Sequence, residues 1–184
     1  AAGGYVLAGG ASSRMGTNKA FLPWQGSTLV AFVASQIKDV AGSVATVGGP
    51  PIDNIRHVPD RHPGFGPVGG IATALADSAA EWNLIAACDM PGIDSDLLRK
   101  LLWSAHSPFQ AVVPVTGDGR CHPLCAVYHL SARANMEDAI TRGNHKLRDV
   151  VASLKSLTLP FGDMKHLTNV NTPEQWAAAA QDQE

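Results

Sequence analysis

An α/β sandwich, with helices on both faces of a mainly parallel sheet, is the fold class this sequence predicts. Apolar runs of strand length alternate with segments of helical spacing along the whole chain. One run, Asn83–Cys88, is apolar almost throughout, as a strand covered on both faces must be. Loops rich in Gly and Asp follow directly after several of these runs, where open α/β sheets bind their ligands. The 184 residues suit one domain, able to bury roughly 70% of the surface the unfolded chain exposes. No repeat, low-complexity tract or linker divides the chain, so a single domain over 1–184 is expected.

The elements follow in order. A strand is predicted at Tyr5–Ala8, then a helix at Thr28–Lys38, capped by Ser27, with Leu29, Val33 and Ile37 on one face. Strands at Val44–Val47 and Arg56–Val58 precede a helix at Val68–Ala79. The buried strand Trp82–Cys88 leads to a helix at Asp96–Ala105, where Ser95 serves as cap and Leu97, Leu98, Leu101 and Leu102 form the apolar stripe. Strands at Gln110–Val115 and Leu124–His129 are followed by helices at Ala132–Arg142 and Lys146–Ser153 and a strand at Ser156–Leu159. The last helix, Pro173–Ala180, has Thr172 as cap and proline at its first position.

Composition excludes several classes of function. A net charge of −2 gives no broad electrostatic footprint for nucleic acid or membrane, so any polyanion must be met by a local site. The tryptophans are scattered and form no stacking platform for single strands. No apolar run approaches the roughly 20 residues of a membrane span, and the opening AAGGYVLAGG lacks the charged start of a signal peptide. Three cysteines cannot all pair, which points to a reducing compartment, the cytoplasm. Cys121, His122 and Cys125 tempt a zinc reading, but no second Cys/His pair has ligand spacing. The two thiols are expected as small apolar residues on one face of a strand.

Three predicted strand ends carry the residues of interest. In GGASSRMGTNK, Gly9–Lys19, glycines let backbone N–H groups approach phosphate oxygens, and Arg14 and Lys19 supply charge. The spacing fits neither the P-loop nor the dinucleotide fingerprint, and a surface turn with two solvated cations is the bland alternative. Asp89 stands directly after the buried strand, where it could hold Mg²⁺ or simply serve the turn. Asp60 closes a short strand before the glycines at 64, 66, 69 and 70, in a segment that suits either a ligand or a loose connector. Elsewhere, Arg142–Asp149 forms a local basic cluster, suited to a second phosphate or to solvent. No G-x-S-x-G elbow supports a serine hydrolase.

LAGGASSRMGTNKAFL, CDMP and NVNTPEQW together resemble the nucleotidyltransferase family, and within it the molybdenum cofactor guanylyltransferases. The ordered set is Leu7–Lys19, Asp60 with Gly66–Ile71, Cys88–Pro91, His122–Leu124 and Asn169–Glu174, which covers nearly the whole chain. The resemblance implies a three-layer, Rossmann-like nucleotidyltransferase fold that joins GMP from GTP to the terminal phosphate of molybdopterin or molybdenum cofactor. Pyrophosphate would be released and molybdoenzymes would receive the product. It implies that Leu7, Ala8, Gly9 and Gly10 line the nucleotide site and that Arg14 and Lys19 hold phosphates. Asp60 would contact the nucleotide, and Asp89 with Asn171 would hold Mg²⁺. For the acceptor it suggests His122, Asn169, Lys146 and Arg148. Some members have an Asn near the end of the second strand, where Thr46–Gly49 offers none. A cytidylyltransferase and a non-catalytic GTP-binding delivery module are the rival readings. Asn18, where cytidylyl relatives often carry Pro, and Met90, where they tend to carry Gln, favour guanylyl transfer.

Overall fold

The computed structural model describes residues 1–10, 19–162 and 164–181. The strands are β1 (Gly3–Leu7), β2 (Pro23–Trp24), β3 (Ser27–Thr28), β4 (Ala45–Val47), β5 (Arg56–Val58), β6 (Trp82–Ala87), β7 (Ala111–Thr116), β8 (Cys125–His129) and β9 (Ser156–Phe161). The helices are α1 (Leu29–Ala41), α2 (Gly66–Asp77), α3 (Ser95–Trp103), α4 (Ala132–Thr141), α5 (Leu147–Ser153) and α6 (Pro173–Gln181). Seven strands form one sheet in the order β5-β4-β1-β6-β8-β7-β9. All neighbours are parallel except β8, which runs antiparallel to both β6 and β7. The cause is the short connection between β7 and β8. A parallel return needs a dozen or more residues, and the eight from Gly117 to Leu124 allow only a hairpin-like reversal.

The strand period of two sorts the core into two layers. Tyr5 and Leu7 face one cluster with Ile71 and Leu75 of α2, Met136 of α4 and Val150 of α5. Val6 and Ala8 face the other, with Val33 and Ile37 of α1 and Leu98 and Leu101 of α3. The three-layer sandwich follows.

Two helix caps differ from the sequence reading. The hydroxyl of Thr28, not Ser27, accepts from Ala31 N at the start of α1 (3.4 Å). Ser27 instead pairs with Trp24 in a small hairpin turned by Gln25 and Gly26, both at positive φ. At α3 the carboxylate of Asp94 takes Leu97 N (2.8 Å), because Ser95 points its backbone N–H and hydroxyl at Gln36. Thr172 caps α6 as expected, accepting from Gln175 N at 3.2 Å. The side chain of Gln175 returns to the backbone N–H groups of Asn171 and Thr172, a reciprocal capping box.

Candidate functional site

At the carboxyl edge of the sheet, backbone bonds continue past the strands and stitch five segments together. Gly48 N donates to Val58 O (3.0 Å), Ala8 N to Val47 O (2.9 Å), Cys88 N to Leu7 O (3.3 Å) and Ala87 N to Leu124 O (2.8 Å). β1 sits between β4 and β6, which are reached over opposite faces of the sheet by α1 and α2. The crevice beyond β1 is therefore the topological switch point of the fold.

A cavity of about 520 Å³ occupies that crevice. Leu7, Ala8, Gly9, Gly10, Asp60 and Asp89 all line it, so residues from three separate strand ends meet at one site. Two glycines set the close packing around it. Gly49 has φ +64°, and a Cβ there would stand 2.5 Å from the Ala8 carbonyl oxygen. Gly70 of α2 lies against Leu7, where a Cβ would come within 3.1 Å of the side chain. Main chain thus approaches main chain where bulkier residues would fill the crevice. The segment after β4, noted above for lacking an Asn, contributes that close approach through Gly48 and Gly49.

Asp60 is held in place by its Oδ1, which accepts from His62 N (2.8 Å) and from the Thr73 hydroxyl (3.2 Å). Asp89 is fixed from the far end of the chain. Asn169 Nδ2 donates to its Oδ1 at 3.1 Å, and Val170 N donates to its carbonyl at 2.8 Å. The anchoring of that C-terminal segment is visible in its neighbours. Leu167 and Val170 are buried, His166 Nδ1 donates to Gly92 O, and a Cβ on Gly92 would overlap the Lys165 carbonyl. Asn169 and Asn171 flank the buried Val170 in NVN and sit at the site for that reason.

A second cavity, about 770 Å³, adjoins the first and shares Pro67 and Leu124 with it. His122, Arg148, Asn169 and Asn171 line it, and so does Arg120, which the sequence reading missed. Its apolar wall comes from Leu147 and Val151 of α5 and from Leu154 just after it. Lys146 does not line it; that residue stands immediately before α5, its N–H bonded to Asn144. Arg14 and the side chain of Lys19 lie outside the described residues; the backbone of Lys19 opens a short 3₁₀ turn, Lys19–Phe21.

His122 has a defined hydrogen-bond environment. Its Nε2 lies 2.9 Å from the Thr116 hydroxyl, which donates to Asp118 Oδ1 at 2.6 Å. With that hydroxyl proton committed to the carboxylate, Nε2 is the donor to Thr116. Burial first, then the nearby Arg120 charge, lowers the pKa of His122, while Asp118 opposes the shift. The CHPLC thiols separate rather than sharing a strand face. Cys125 opens β8 in the core, its thiol pushed up to about 12 by burial, and Cys121 is exposed before the strand. Among the described residues no group of three His, Cys, Asp or Glu could hold a metal ion.

Residues 4–157 match the model of the MobA-like NTP transferase domain. The chain belongs to this family. A molybdenum cofactor guanylyltransferase of Yersinia pestis is 33% identical, the match covering 92% of this chain and 90% of that protein. A probable molybdenum cofactor guanylyltransferase of Bacillus cytotoxicus is 27% identical over 95% and 94%. Among solved structures, the molybdopterin-guanine dinucleotide biosynthesis protein A of Archaeoglobus fulgidus superposes with a TM-score of 0.83 at 24% identity, 97% of each chain covered. The 2-C-methyl-D-erythritol 4-phosphate cytidylyltransferase of Thermus thermophilus does so at 0.72 and 18%, with 98% of each covered. The MobA-like chain is thus a nucleotidyltransferase of molybdenum cofactor biosynthesis. No described helix is long and apolar enough to cross a membrane.

Proposed function

We propose that this chain transfers GMP from GTP to the terminal phosphate of molybdopterin or molybdenum cofactor and releases pyrophosphate, in the cytoplasm, for use by molybdoenzymes. One observation carries the reading: two cavities of ligand size meet at the Asp89–Asn169 hydrogen bond, one rich in glycine and the other bordered by two arginines and an apolar wall. A donor nucleotide suits the first, where glycines give its phosphates close access to the main chain. A phosphorylated organic acceptor suits the second, with its apolar wall and two arginines. The names of the relatives supply the identities of donor and acceptor.

In the step itself, an oxygen of the acceptor phosphate attacks the α-phosphorus of GTP, a P–O–P linkage forms, and the bond to the departing pyrophosphate breaks. The attacking oxygen is already anionic near neutral pH, so no general base is required. The chain's task is alignment and charge neutralisation. Asp60, held by His62 and Thr73, borders the nucleotide. Arg14 and Lys19 are assigned by their motif to the triphosphate. Asn169 orients the Asp89 carboxylate and borders the acceptor.

The donor chemistry fits Mg²⁺: the Asp89 carboxylate at the first cavity and the Asn171 amide oxygen at the adjoining one are hard oxygen ligands of the sparse kind that leave most positions to water and phosphate. Bound there, Mg²⁺ would supply Lewis-acid polarisation of the reacting phosphoryl group. The test is a panel of Mg-nucleotides incubated with pterin phosphate, the dinucleotide product identified by mass. A guanine dinucleotide supports the reading. A cytosine dinucleotide assigns the nucleotide differently, and GTP binding without pyrophosphate release assigns the chain to cofactor delivery.

A further inference from the structure

The arginines divide into two groups. Arg56, Arg99, Arg133 and Arg142 each form an ion pair with a carboxylate within 3.1 Å. Arg61 adds its charge to the same Asp77 that Arg56 grips. Arg120 and Arg148 form no such pair among the described residues, and both border the second cavity. They reach it from different elements, Arg120 from the β7–β8 turn and Arg148 from the first turn of α5.

Their local surroundings keep the pair available. Asp118, the carboxylate beside Arg120, spends Oδ1 on the Thr116 hydroxyl and on the backbone N–H of Arg120 itself. That turn is closed by Thr116 N to Arg120 O (3.0 Å) and Gly119 N to Thr116 O (2.8 Å), so the residue bearing the guanidinium starts from a fixed backbone. Arg148 follows Leu147, which is buried and anchors the start of α5. Neither guanidinium is held in an ion pair among the described residues, and both border one cavity, so an anion placed there can meet two of them.

We propose that Arg120 and Arg148 form a two-point clamp for an anionic oxygen group on the occupant of the second cavity. The ligand class is a small organic molecule with an apolar or planar body and a phosphate-type group. The clamp rests on the reading of this cavity as the acceptor's. Two sources can supply its anion: the phosphate that joins the nucleotide, or a second negative group on the same molecule.

Calorimetry on the full chain with pterin phosphate, without nucleotide, tests the clamp. Arg120→Ala and Arg148→Ala should each weaken binding about tenfold, and the double variant by less than the product of the two, since both grip one group. The nucleotide KM, read by pyrophosphate release, should stay within about twofold. Unchanged acceptor affinity in the double variant overturns the clamp, as does a rise in nucleotide KM matching the acceptor's loss. Repeating the titration with the dephosphorylated pterin identifies the source: a persisting arginine effect assigns the second group, and its disappearance assigns the phosphate. Should the wild type not bind the pterin at all, the acceptor reading fails separately. Inorganic phosphate, titrated while the arginine Nε–Hε resonances are observed, then decides the clamp alone. Joint movement of the Arg120 and Arg148 signals with Arg133 still sustains it, and immobility of both overturns it.

Discussion

The two cavities that meet at Asp89 are built from different materials. The first is lined by five glycines, at 9, 10, 64, 66 and 70, among apolar residues and two aspartates, and Gly49 packs against its lining residue Ala8. The second is made of side chains gathered from the β7–β8 turn, α5 and the segment before α6. On the proposed reading, the first gives the phosphates of a nucleotide close access to the main chain. The second can be altered residue by residue, so on the proposed reading specificity for the acceptor would reside there. The proposed reading puts the chemistry at the junction, where each cavity contributes one partner of the Asp89–Asn169 pair.

Substitution at the junction should have the largest effect. Asp89→Ala is expected to lower turnover by about a hundredfold or more, near 3 kcal/mol of barrier, with the melting temperature unchanged. Lys19→Ala should do the same on the motif's assignment of Lys19 to the triphosphate. Normal pyrophosphate release in the purified Asp89 variant would remove the junction from the reaction, and in the Lys19 variant it would remove the motif's assignment.

The glycine-lined cavity should be the less forgiving of the two. Gly49→Ala forces a Cβ against the Ala8 carbonyl at a positive φ, at a cost of about 2 kcal/mol in stability. The nucleotide KM should rise while the acceptor KM holds. A variant as stable as the wild type, with unaltered nucleotide KM, would break the contrast drawn between the cavities.

In the side-chain cavity the effects should be finer and electrostatic. His122 has its pKa lowered by burial and by Arg120, so it stays neutral to a more acidic pH than an exposed histidine. Followed by NMR, its titration midpoint should rise in Arg120→Ala and fall further in Asp118→Asn. A midpoint indifferent to both would show that neither charge reaches the ring.

The opposite edge of the sheet supplies a control. There the Tyr5 hydroxyl donates to Asp77 (2.9 Å) and Arg56 grips the same carboxylate through both nitrogens. The Arg56 hydrogen bonds hold the Asp77 pKa below the usual carboxylate range, so its stabilising share is present above that range and is lost as pH falls through the lowered value. Arg56 is 58% exposed, which limits the pair to about 1 kcal/mol or less. Arg56→Ala should flatten the acid limb of the stability curve, measured by denaturant titration between pH 5 and roughly 2, without changing turnover. A loss of activity here would mean that the two edges are coupled.

Much of this was legible in the chain itself. Each strand and helix of the main sheet was recoverable because apolar period, glycine and proline are local signals, and β5 begins and ends where its residues indicate. The caps were misread by one residue at α1 and α3 because adjacent Ser, Thr and Asp compete for one role, and distant groups such as Gln36 decide between them. The antiparallel β8 could have been inferred from the short loop before it. Arg120 could not, since a lone arginine in a turn carries no periodic signal.

Local sequence determined the alternation of strands and helices, the glycine-rich first cavity and the motifs that identify the family, because steric demands and hydrophobic period act over a few residues. Only the tertiary structure decided that Asn169 would meet Asp89 across 80 positions of sequence, and that Arg120 and Arg148 would border one cavity. Those meetings depend on Leu167 and Val170 finding the core and on α5 packing over the sheet. They are long-range contacts, fixed by burial of apolar surface that no single segment can complete alone.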